Sequence, residues 1–162
     1  LPLLRQHVDD LLLVGEQQVE QAVFQLLEIE KTVVEGAGAA PLAAVVAHAA
    51  RFAGRKVVLV LSGGNIDMMI LASVVQRGML RSHRLLRLEV EVPDVPGGLA
   101  DLTRLLADLD SNIVEIRHQR LLDSGSVRST MVELLLQLRG EEQAGEIRAA
   151  LVARGYAVRV PA

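Results

Sequence analysis

The hydrophobic rhythm of this chain changes near residue 85, and the change limits the fold more than any other feature. Before it, the run KVVLVLS at residues 56–62 is apolar throughout its centre and rich in β-branched residues, which is typical of a central parallel strand covered on both faces. After it, LLRLEVEV at residues 85–92 alternates between apolar and charged residues, as a strand with one buried and one wet face does. The 162 residues are therefore predicted to form an α/β protein in two parts.

Residues 1–80 are predicted to form alternating strands and helices. The short apolar run DLLLV at residues 10–14 indicates a buried strand, and residues 16–31 carry apolar side chains at helical spacing. An Ala-rich helix is predicted from about Ala39, with Pro41 in its first turn, where a missing N–H removes no hydrogen bond. Its small side chains permit close approach to a neighbouring element.

A tight turn and another helix follow the apolar run at residues 56–62. We expect Asn65 to cap this helix, which is predicted to begin near Ile66 and to close at Gly78. From spacing alone, the SGG turn at residues 62–64 is either an ordinary turn or a ligand site at the carboxyl end of a parallel strand. It lacks the glycine and lysine spacing of a phosphate-binding loop.

Residues 85–162 are predicted to form a β-α-β-β-α-β unit on an antiparallel sheet, the ferredoxin-like arrangement. A strand, the hairpin turn DSGS at residues 123–126, a partner strand, a helix and the last strand AVRV follow the first helix in order. RSHR at residues 81–84 is predicted to be a polar hinge between the two parts. The first helix of the unit is amphipathic, with five leucines expected to face inward: Leu99, Leu102, Leu105, Leu106 and Leu109.

The composition excludes several classes of function. The net charge is -3, the arginines are dispersed, and aromatic residues make up 2% of the chain, so neither a phosphate-binding basic patch nor a base-stacking platform is expected. We therefore expect no nucleic-acid partner. Cysteine is absent, which excludes disulfides and zinc–thiolate sites and favours a cytoplasmic location.

Neither a membrane span nor a metal site is expected. The most apolar window, residues 33–50, contains Glu35, Pro41 and His48 and is mostly Ala and Gly, so it is too weakly apolar to span a membrane. The chain begins with Leu1 and has no signal-peptide pattern, so we expect an excised piece of a longer protein. The histidines lack metal-ligand spacing; they are His7, His48, His83 and His118.

Residues 85–161 resemble an ACT domain, a small module that binds amino acids in metabolic enzymes. The order of elements, the turn DVPGGLADL and the SNI before the second strand carry this resemblance. It implies pairing with a second copy and an amino-acid effector, isoleucine or valine. It implies that the effector lies between paired modules, held by residues of the turn and by residues of the second strand that face them: Asp94, Gly97, Gly98 and Leu99, with Asn112 and Ile113. The alternative is that PGGL only forms a turn and Asn112 only caps a strand.

Residues 1–80 resemble the closing segment of the catalytic domain of fold-type II pyridoxal-phosphate enzymes, in particular the threonine ammonia-lyase (threonine dehydratase) family. The stretches VVEGAGAAPLAA and VVLVLSGGNID carry this resemblance. It implies that the Ser62 hydroxyl donates a hydrogen bond to the cofactor's ring nitrogen. It implies in addition that four glycines let the backbone come close: Gly36, Gly38, Gly63 and Gly64. It also implies that Glu35 lies near the ring, whereas from the residues alone Glu35 could equally be a solvated group at a helix start.

The family's cofactor-binding lysine is missing from this chain. The only lysines are Lys31 and Lys56, and neither lies in a Ser-x-Lys context. We therefore expect no catalytic residue in this fragment, no activity from it alone and no retained pyridoxal phosphate.

The resemblance implies a fragment of an allosterically regulated threonine ammonia-lyase of isoleucine biosynthesis, which converts L-threonine to 2-oxobutanoate and ammonia. The alternatives are a non-catalytic amino-acid sensor or dimerisation module, and a sibling enzyme such as a serine dehydratase or racemase.

Overall fold

The computed structural model describes residues 2–118 and 128–161, and the chain divides into two compact units, unit 1, Leu1–Gly78, and unit 2, Met79–Ala162. The hinge at residues 81–84 stays a prediction. Unit 1 holds the helices α1 Pro2–His7, α2 Glu16–Ile29, α3 Gly36–Ala47 and α4 Ala49–Phe52, and the start of α5 Met68–Arg81. Unit 2 holds β1 Leu85–Pro93, α6 Gly98–Asp108, β2 Asn112–His118, β3 Ser129–Gln137, α7 Glu141–Ala153 and β4 Ala157–Arg159.

Helix α2 packs on α3 in unit 1. The apolar side of α2 buries Val23, Phe24 and Leu26, and α3 buries the small residues Ala39 and Ala43. Because the buried side chains of α3 are small, the two helices can pack closely. The helix predicted over residues 16–31 is confirmed, with its end at Ile29.

The strands predicted at residues 10–14 and 56–62 are wrong, because neither segment belongs to a sheet. Most of their apolar side chains are exposed, with Leu13 82% exposed and Val58 90% exposed. A strand forms only where a neighbouring strand takes up its backbone hydrogen bonds. Within its described residues, unit 1 offers no such neighbour.

Polar contacts hold residues 10–14 instead. The Arg51 guanidinium donates to the Asp10 carboxylate, and the His48 ring lies 3.5 Å from the Leu13 carbonyl oxygen. The pKa of Asp10 is lowered because the Leu11 backbone N–H and the Arg51 side chain both favour the charged carboxylate. These contacts connect the segment to the end of α3 and to α4.

Two helix starts differ from their predictions. Helix α3 begins at Gly36 instead of near Ala39, so Pro41 lies inside the helix and not in its first turn. Helix α5 begins at Met68 instead of near Ile66, because Asp67, not Asn65, caps it. The Oδ1 of Asp67 accepts hydrogen bonds from the N–H groups of Met69, at 2.8 Å, and Ile70, at 3.1 Å.

Gly78 does not close α5, which continues to Arg81. It is buried in the helix, and a Cβ at this position would collide with the ring of Phe24 on α2. The glycine therefore lets the Phe24 ring lie against the backbone of α5. Close packing explains this residue, and a helix end does not.

Unit 2 is a four-stranded sheet in the order β2-β3-β1-β4, and all its strand pairs are antiparallel. With α6 following β1 and α7 following β3, this is the predicted ferredoxin-like β-α-β-β-α-β fold, which is thereby confirmed. The end of the predicted second strand and the DSGS turn lie outside the described residues.

The core of unit 2 forms between one face of the sheet and the two helices. Alternate residues of β1 and β3 point into it, among them Leu88 and Leu134, which lie opposite each other in register. The inward leucines predicted for α6 are confirmed: Leu102, Leu105 and Leu106 are buried, and Leu99 and Leu109 are partly buried against the same core.

The buried Gln143 connects the two helices of unit 2. Its Nε2 donates to the Leu109 carbonyl at 2.8 Å and to the Asp110 carbonyl at 3.1 Å, just beyond α6. Its Oε1 accepts from the Arg139 N–H at 2.8 Å, just before α7. One side chain thus satisfies three backbone groups at helix ends.

No helix in residues 2–118 or 128–161 is long and apolar enough to cross a membrane. In the same ranges, the His, Asp and Glu side chains do not form a group of three that could hold a metal ion.

Two glycine-to-alanine substitutions in helices should change stability in opposite directions. We expect Gly78→Ala to lower the stability of unit 1 by about 1–2 kcal/mol, because overpacking outweighs the gain in helix propensity. Gly145→Ala in α7, where a Cβ would have no neighbour within 4 Å, should raise stability by about 0.5–1 kcal/mol. Native-state hydrogen exchange of the α2 and α7 amides measures each unit separately, and a stabilising Gly78→Ala would contradict the packing argument.

Candidate functional site

The start of α3 and the turn after residue 61 form the first candidate site. The Glu35 N–H donates to the Gly63 carbonyl at 3.1 Å. A Cβ on Gly63, whose φ is +81°, would collide with the Glu35 carboxylate, and a Cβ on Gly38 would collide with the Ser62 carbonyl. Only glycine permits this approach of the two backbones.

Three of the four residues predicted to bind a cofactor therefore lie together: Glu35, Ser62 and Gly63. The fourth, Gly36, lies in the same first turn of α3, but its Cα faces Val19 of α2. Ser62 is exposed and Glu35 is partly buried. The turn thus presents a neutral hydroxyl, which can donate one hydrogen bond and accept others, on a backbone fixed against α3. The small size of Gly38, which the resemblance also implied to let the backbone come close, sets the distance between the two segments.

The turn from β1 to α6 forms the second candidate site. Gly97 has φ +94°, a left-handed conformation suited to glycine, and a Cβ on Gly98 would collide with the Pro93 carbonyl. The Gly98 N–H donates to the Val95 carbonyl at 3.1 Å. In the part of unit 2 that the structure describes, the next two N–H groups, of Leu99 and Ala100, have no acceptor. They form the positive end of the α6 dipole, which favours an anion such as a carboxylate.

A recess of about 250 Å³ lies beside this turn. Its wall is largely apolar, and its lining includes Val92, Val95, Leu99, His118 and Thr130. Asp94 and Gly97, two of the predicted effector-binding residues, also line it. No sequence motif identifies Thr130, although it is a polar residue at an inward position of β3, in step with Val132 and Leu134.

Asn112 and Ile113 lie far from this turn within the same module. Asn112 pairs with Gln137 on β3, whereas Pro93, which begins the turn, pairs with Ser129. These positions are eight residues apart on β3 (137 − 129 = 8), or roughly 27 Å at about 3.4 Å per residue. One module therefore brings Asp94, Gly97, Gly98 and Leu99 together but does not bring Asn112 and Ile113 to them.

The open face of the sheet is a charged surface. Arg87, Glu115, Arg117 and Glu133 line a shallow depression of about 80 Å³. Arg117 Nε donates to Glu115 Oε1 at 2.6 Å. The pKa of Arg117 is raised, first by this hydrogen bond and charge and also by the Glu133 carboxylate. Arg117 is thus neutralised in solvent by the carboxylates beside it, Glu115 and Glu133.

Residues 86–152 match the ACT domain family. The match covers β1 to nearly the end of α7, so the module that the sequence predicted is confirmed by an independent comparison.

The chain is similar to proteins named L-threonine ammonia-lyase. It is 42% identical over 159 residues to one from Geobacter sulfurreducens and 35% identical over 158 residues to one from Thermotoga maritima. Each alignment covers 98% of this chain, but only 40% and 39% of the respective relatives. A catabolic L-threonine dehydratase, TdcB, from Staphylococcus aureus is 36% identical over 75 residues, which cover 44% of this chain and 22% of that protein. The resemblance drawn from the motifs is confirmed, and the chain spans about two fifths of the length of the two proteins named L-threonine ammonia-lyase.

The contact between α3 and the Ser62 turn should depend on the glycine at position 38. We expect Gly38→Ala to lower the stability of unit 1 by about 2–3 kcal/mol, since the added methyl group meets backbone that cannot rotate away. The control is Gly15→Ala, whose Cβ would make only ordinary contact with Gln18. Because Gly15 is the N-cap of α2, this change should lower stability by about 1 kcal/mol or less. Hydrogen exchange of the Glu35 amide measures both variants, and equal exchange rates would contradict the close approach.

Proposed function

We propose that this chain supplies a regulatory domain and one wall of the active site of a threonine ammonia-lyase, which converts L-threonine to 2-oxobutanoate and ammonia. The observation that carries the proposal is the 42% identity to one such protein, which continues across both units over 98% of the chain. A match limited to residues 86–152 would have supported only an ACT module. The absence of cysteine supports a cytoplasmic location as part of this proposal.

The Ser62 turn fits the edge of a pyridoxal phosphate ring. When bound in the longer enzyme, this cofactor supplies an electron sink for the substrate. The exposed Ser62 hydroxyl would donate a hydrogen bond to the ring nitrogen, and because it is neutral it would leave that nitrogen unprotonated. The glycines at positions 38 and 63 support this role, because they fix the turn against α3. The Glu35 carboxylate beside Gly63 would orient the turn from the other side.

The chain alone is proposed to be inactive and to lose the cofactor. Covalent capture of an aldehyde requires a desolvated amine beside it. Both lysines are exposed, and the Lys31 Nζ donates to the Glu28 carbonyl at 2.6 Å at the end of α2. Neither lysine lies in the Ser62 turn, so the lysine and the phosphate-binding loop would come from the rest of the enzyme.

The ACT module is proposed to bind isoleucine or valine and to bias the enzyme's conformational equilibrium. The Leu99 and Ala100 N–H groups would bind the effector's carboxylate, supported by the glycines at positions 97 and 98. Asn112 and Ile113 would reach this turn from a second copy, and their place at the far end of their own sheet supports that arrangement. Regulation requires only that the effector prefers one of the enzyme's states.

A second candidate function is a non-catalytic amino-acid sensor. One observation favours it: unit 2 has a complete sheet and its own hydrophobic core, so effector binding does not depend on unit 1. Activity measurements on the longer enzyme distinguish the two candidates.

Amino-acid binding is the first test, and calorimetric titration of this chain measures it. We expect saturable heat with isoleucine or valine and none with serine. Ala100→Asp should weaken this binding about tenfold, because its carboxylate lies at the N–H groups proposed for the ligand. Ala149→Asp, the same change on an exposed position of α7, is the matched control and should bind like the wild type. The absence of binding heat with all four amino acids, isoleucine, valine, threonine and serine, would contradict effector binding.

The Ser62 hydroxyl is tested in the longer enzyme that contains this chain. We expect Ser62→Ala to lower kcat for threonine at least tenfold, about 1.4 kcal/mol, and Ser62→Thr to restore much of it. Ser73→Ala is the control, since the Ser73 hydroxyl is bonded to the Met69 carbonyl at 2.9 Å within α5 and should leave kcat unchanged. Full activity of Ser62→Ala, or threonine turnover by this chain alone, would contradict the proposed roles.

A further inference from the structure

The Thr130 hydroxyl is a buried polar group without a partner. The residue is 4% exposed. Among the buried side-chain nitrogen and oxygen atoms of the described residues, only the Thr130 Oγ1 lacks a hydrogen bond. Such groups are rare in native proteins, because removing a hydroxyl from water without replacing its hydrogen bonds is unfavourable. A group of this kind that borders a cavity therefore points to a ligand.

Thr130 borders the recess beside the β1–α6 turn. It is the second residue of β3 and pairs with Val92 of β1, which also lines the recess. By contrast, the buried hydroxyl of Ser111, which follows α6, donates to the Leu106 carbonyl at 2.9 Å. The buried hydroxyl of Ser111, near the C-terminus of α6, therefore has a hydrogen-bond partner. The buried hydroxyl of Thr130, beside the turn that leads into α6, has none.

We propose that Thr130 Oγ1 accepts a hydrogen bond from the α-ammonium of the effector and so makes the recess select amino acids over their des-amino analogues. This inference rests on the proposed effector role of the module and adds the residue that sets its specificity. It concerns a strand residue outside the turn, which neither the PGGL motif nor the N-terminus of α6 identifies.

The chemistry of the recess matches the three parts of a free amino acid. The Leu99 and Ala100 N–H groups are donors for a carboxylate, and the apolar Val92 and Val95 suit an aliphatic side chain. The remaining group, an ammonium, needs acceptors, and the Thr130 hydroxyl is an acceptor without a donor. At about 250 Å³, the recess is smaller than the roughly 300–1,000 Å³ of pockets for drug-sized molecules.

The test combines a change in the protein with a change in the ligand. Thr130→Val keeps the shape of the side chain and removes the hydroxyl, and 3-methylpentanoate is isoleucine without its amino group. We expect Thr130→Val to weaken isoleucine binding about tenfold, as the loss of a hydrogen bond to a charged group does. The affinity of Thr130→Val for 3-methylpentanoate, measured by NMR titration of the whole chain, should be within twofold of the wild-type affinity. Failure of the analogue to bind either protein, together with weaker isoleucine binding by Thr130→Val, also supports the proposal, because the amino group is then essential and its affinity depends on the hydroxyl.

The stability of the ligand-free protein is a second readout. Because the hydroxyl has no partner, Thr130→Val should leave the Tm unchanged or raise it while it weakens isoleucine binding. Ser111→Ala is the matched control: it removes a buried hydroxyl that has a partner, so it should lower the Tm and leave isoleucine binding unchanged. Thr130→Ser, which keeps the hydroxyl, should retain most of the affinity.

The outcomes separate this inference from the proposed function. Equal isoleucine affinity of Thr130→Val and the wild type overturns the role of Thr130 and leaves the effector site standing. An equal loss of affinity of Thr130→Val for isoleucine and for 3-methylpentanoate also overturns it, because the hydroxyl would then contact a group other than the ammonium. If the wild type binds neither isoleucine nor valine, both the inference and effector binding are overturned.

Discussion

A β-strand depends on neighbours that take up its backbone hydrogen bonds, and this requirement explains the difference between the two units. In unit 2, β1 has a partner on each side and its alternate side chains are buried. In unit 1, the run at residues 56–62 has the composition of a central strand, yet Val58 and Val60 are largely exposed. Relatives about two and a half times as long, of which this chain covers 40%, are long enough to contain the strands that would flank it.

Both candidate sites use glycine for the same physical purpose. Gly38 and Gly63 let the Ser62 turn approach the start of α3, and Gly98 lets the start of α6 approach the end of β1. In each place a helix N-terminus, with its N–H groups and positive dipole end, meets a turn that leads from the end of an apolar run. The backbone positions a site in this way without a large side chain, which leaves room for a ligand beside the turn.

The sequence predicted unit 2 well because its signals are local. Period-two alternation identified β1, and the hairpin turn DSGS indicated β3 as the strand that follows it. The spacing of leucines identified the buried face of α6. The wrong strands in unit 1 came from reading an apolar run as sufficient, although pairing depends on partners elsewhere in a protein. Gly78 was misinterpreted for a related reason: its contact with Phe24 joins residues that are distant in sequence. The turn residues of both sites were predictable from their motifs, whereas the recess became visible only when β2 and β3 were placed beside the turn.

In the core of unit 2, the one buried hydroxyl without a hydrogen bond, that of Thr130, indicates a ligand, because the other buried polar side chains described there are paired. Gln143 satisfies three backbone groups and Ser111 satisfies one, so the fold has the means to pair buried polar atoms. Valine would fill the position of Thr130 with nearly the same volume and no unpaired oxygen. A threonine there makes the empty module slightly less stable than it could be, and that difference is recovered only when a donor enters the recess. A ligand that supplies the donor therefore stabilises the module when it binds, and it shifts the enzyme's conformational equilibrium to the extent that it binds one conformation more tightly than the other.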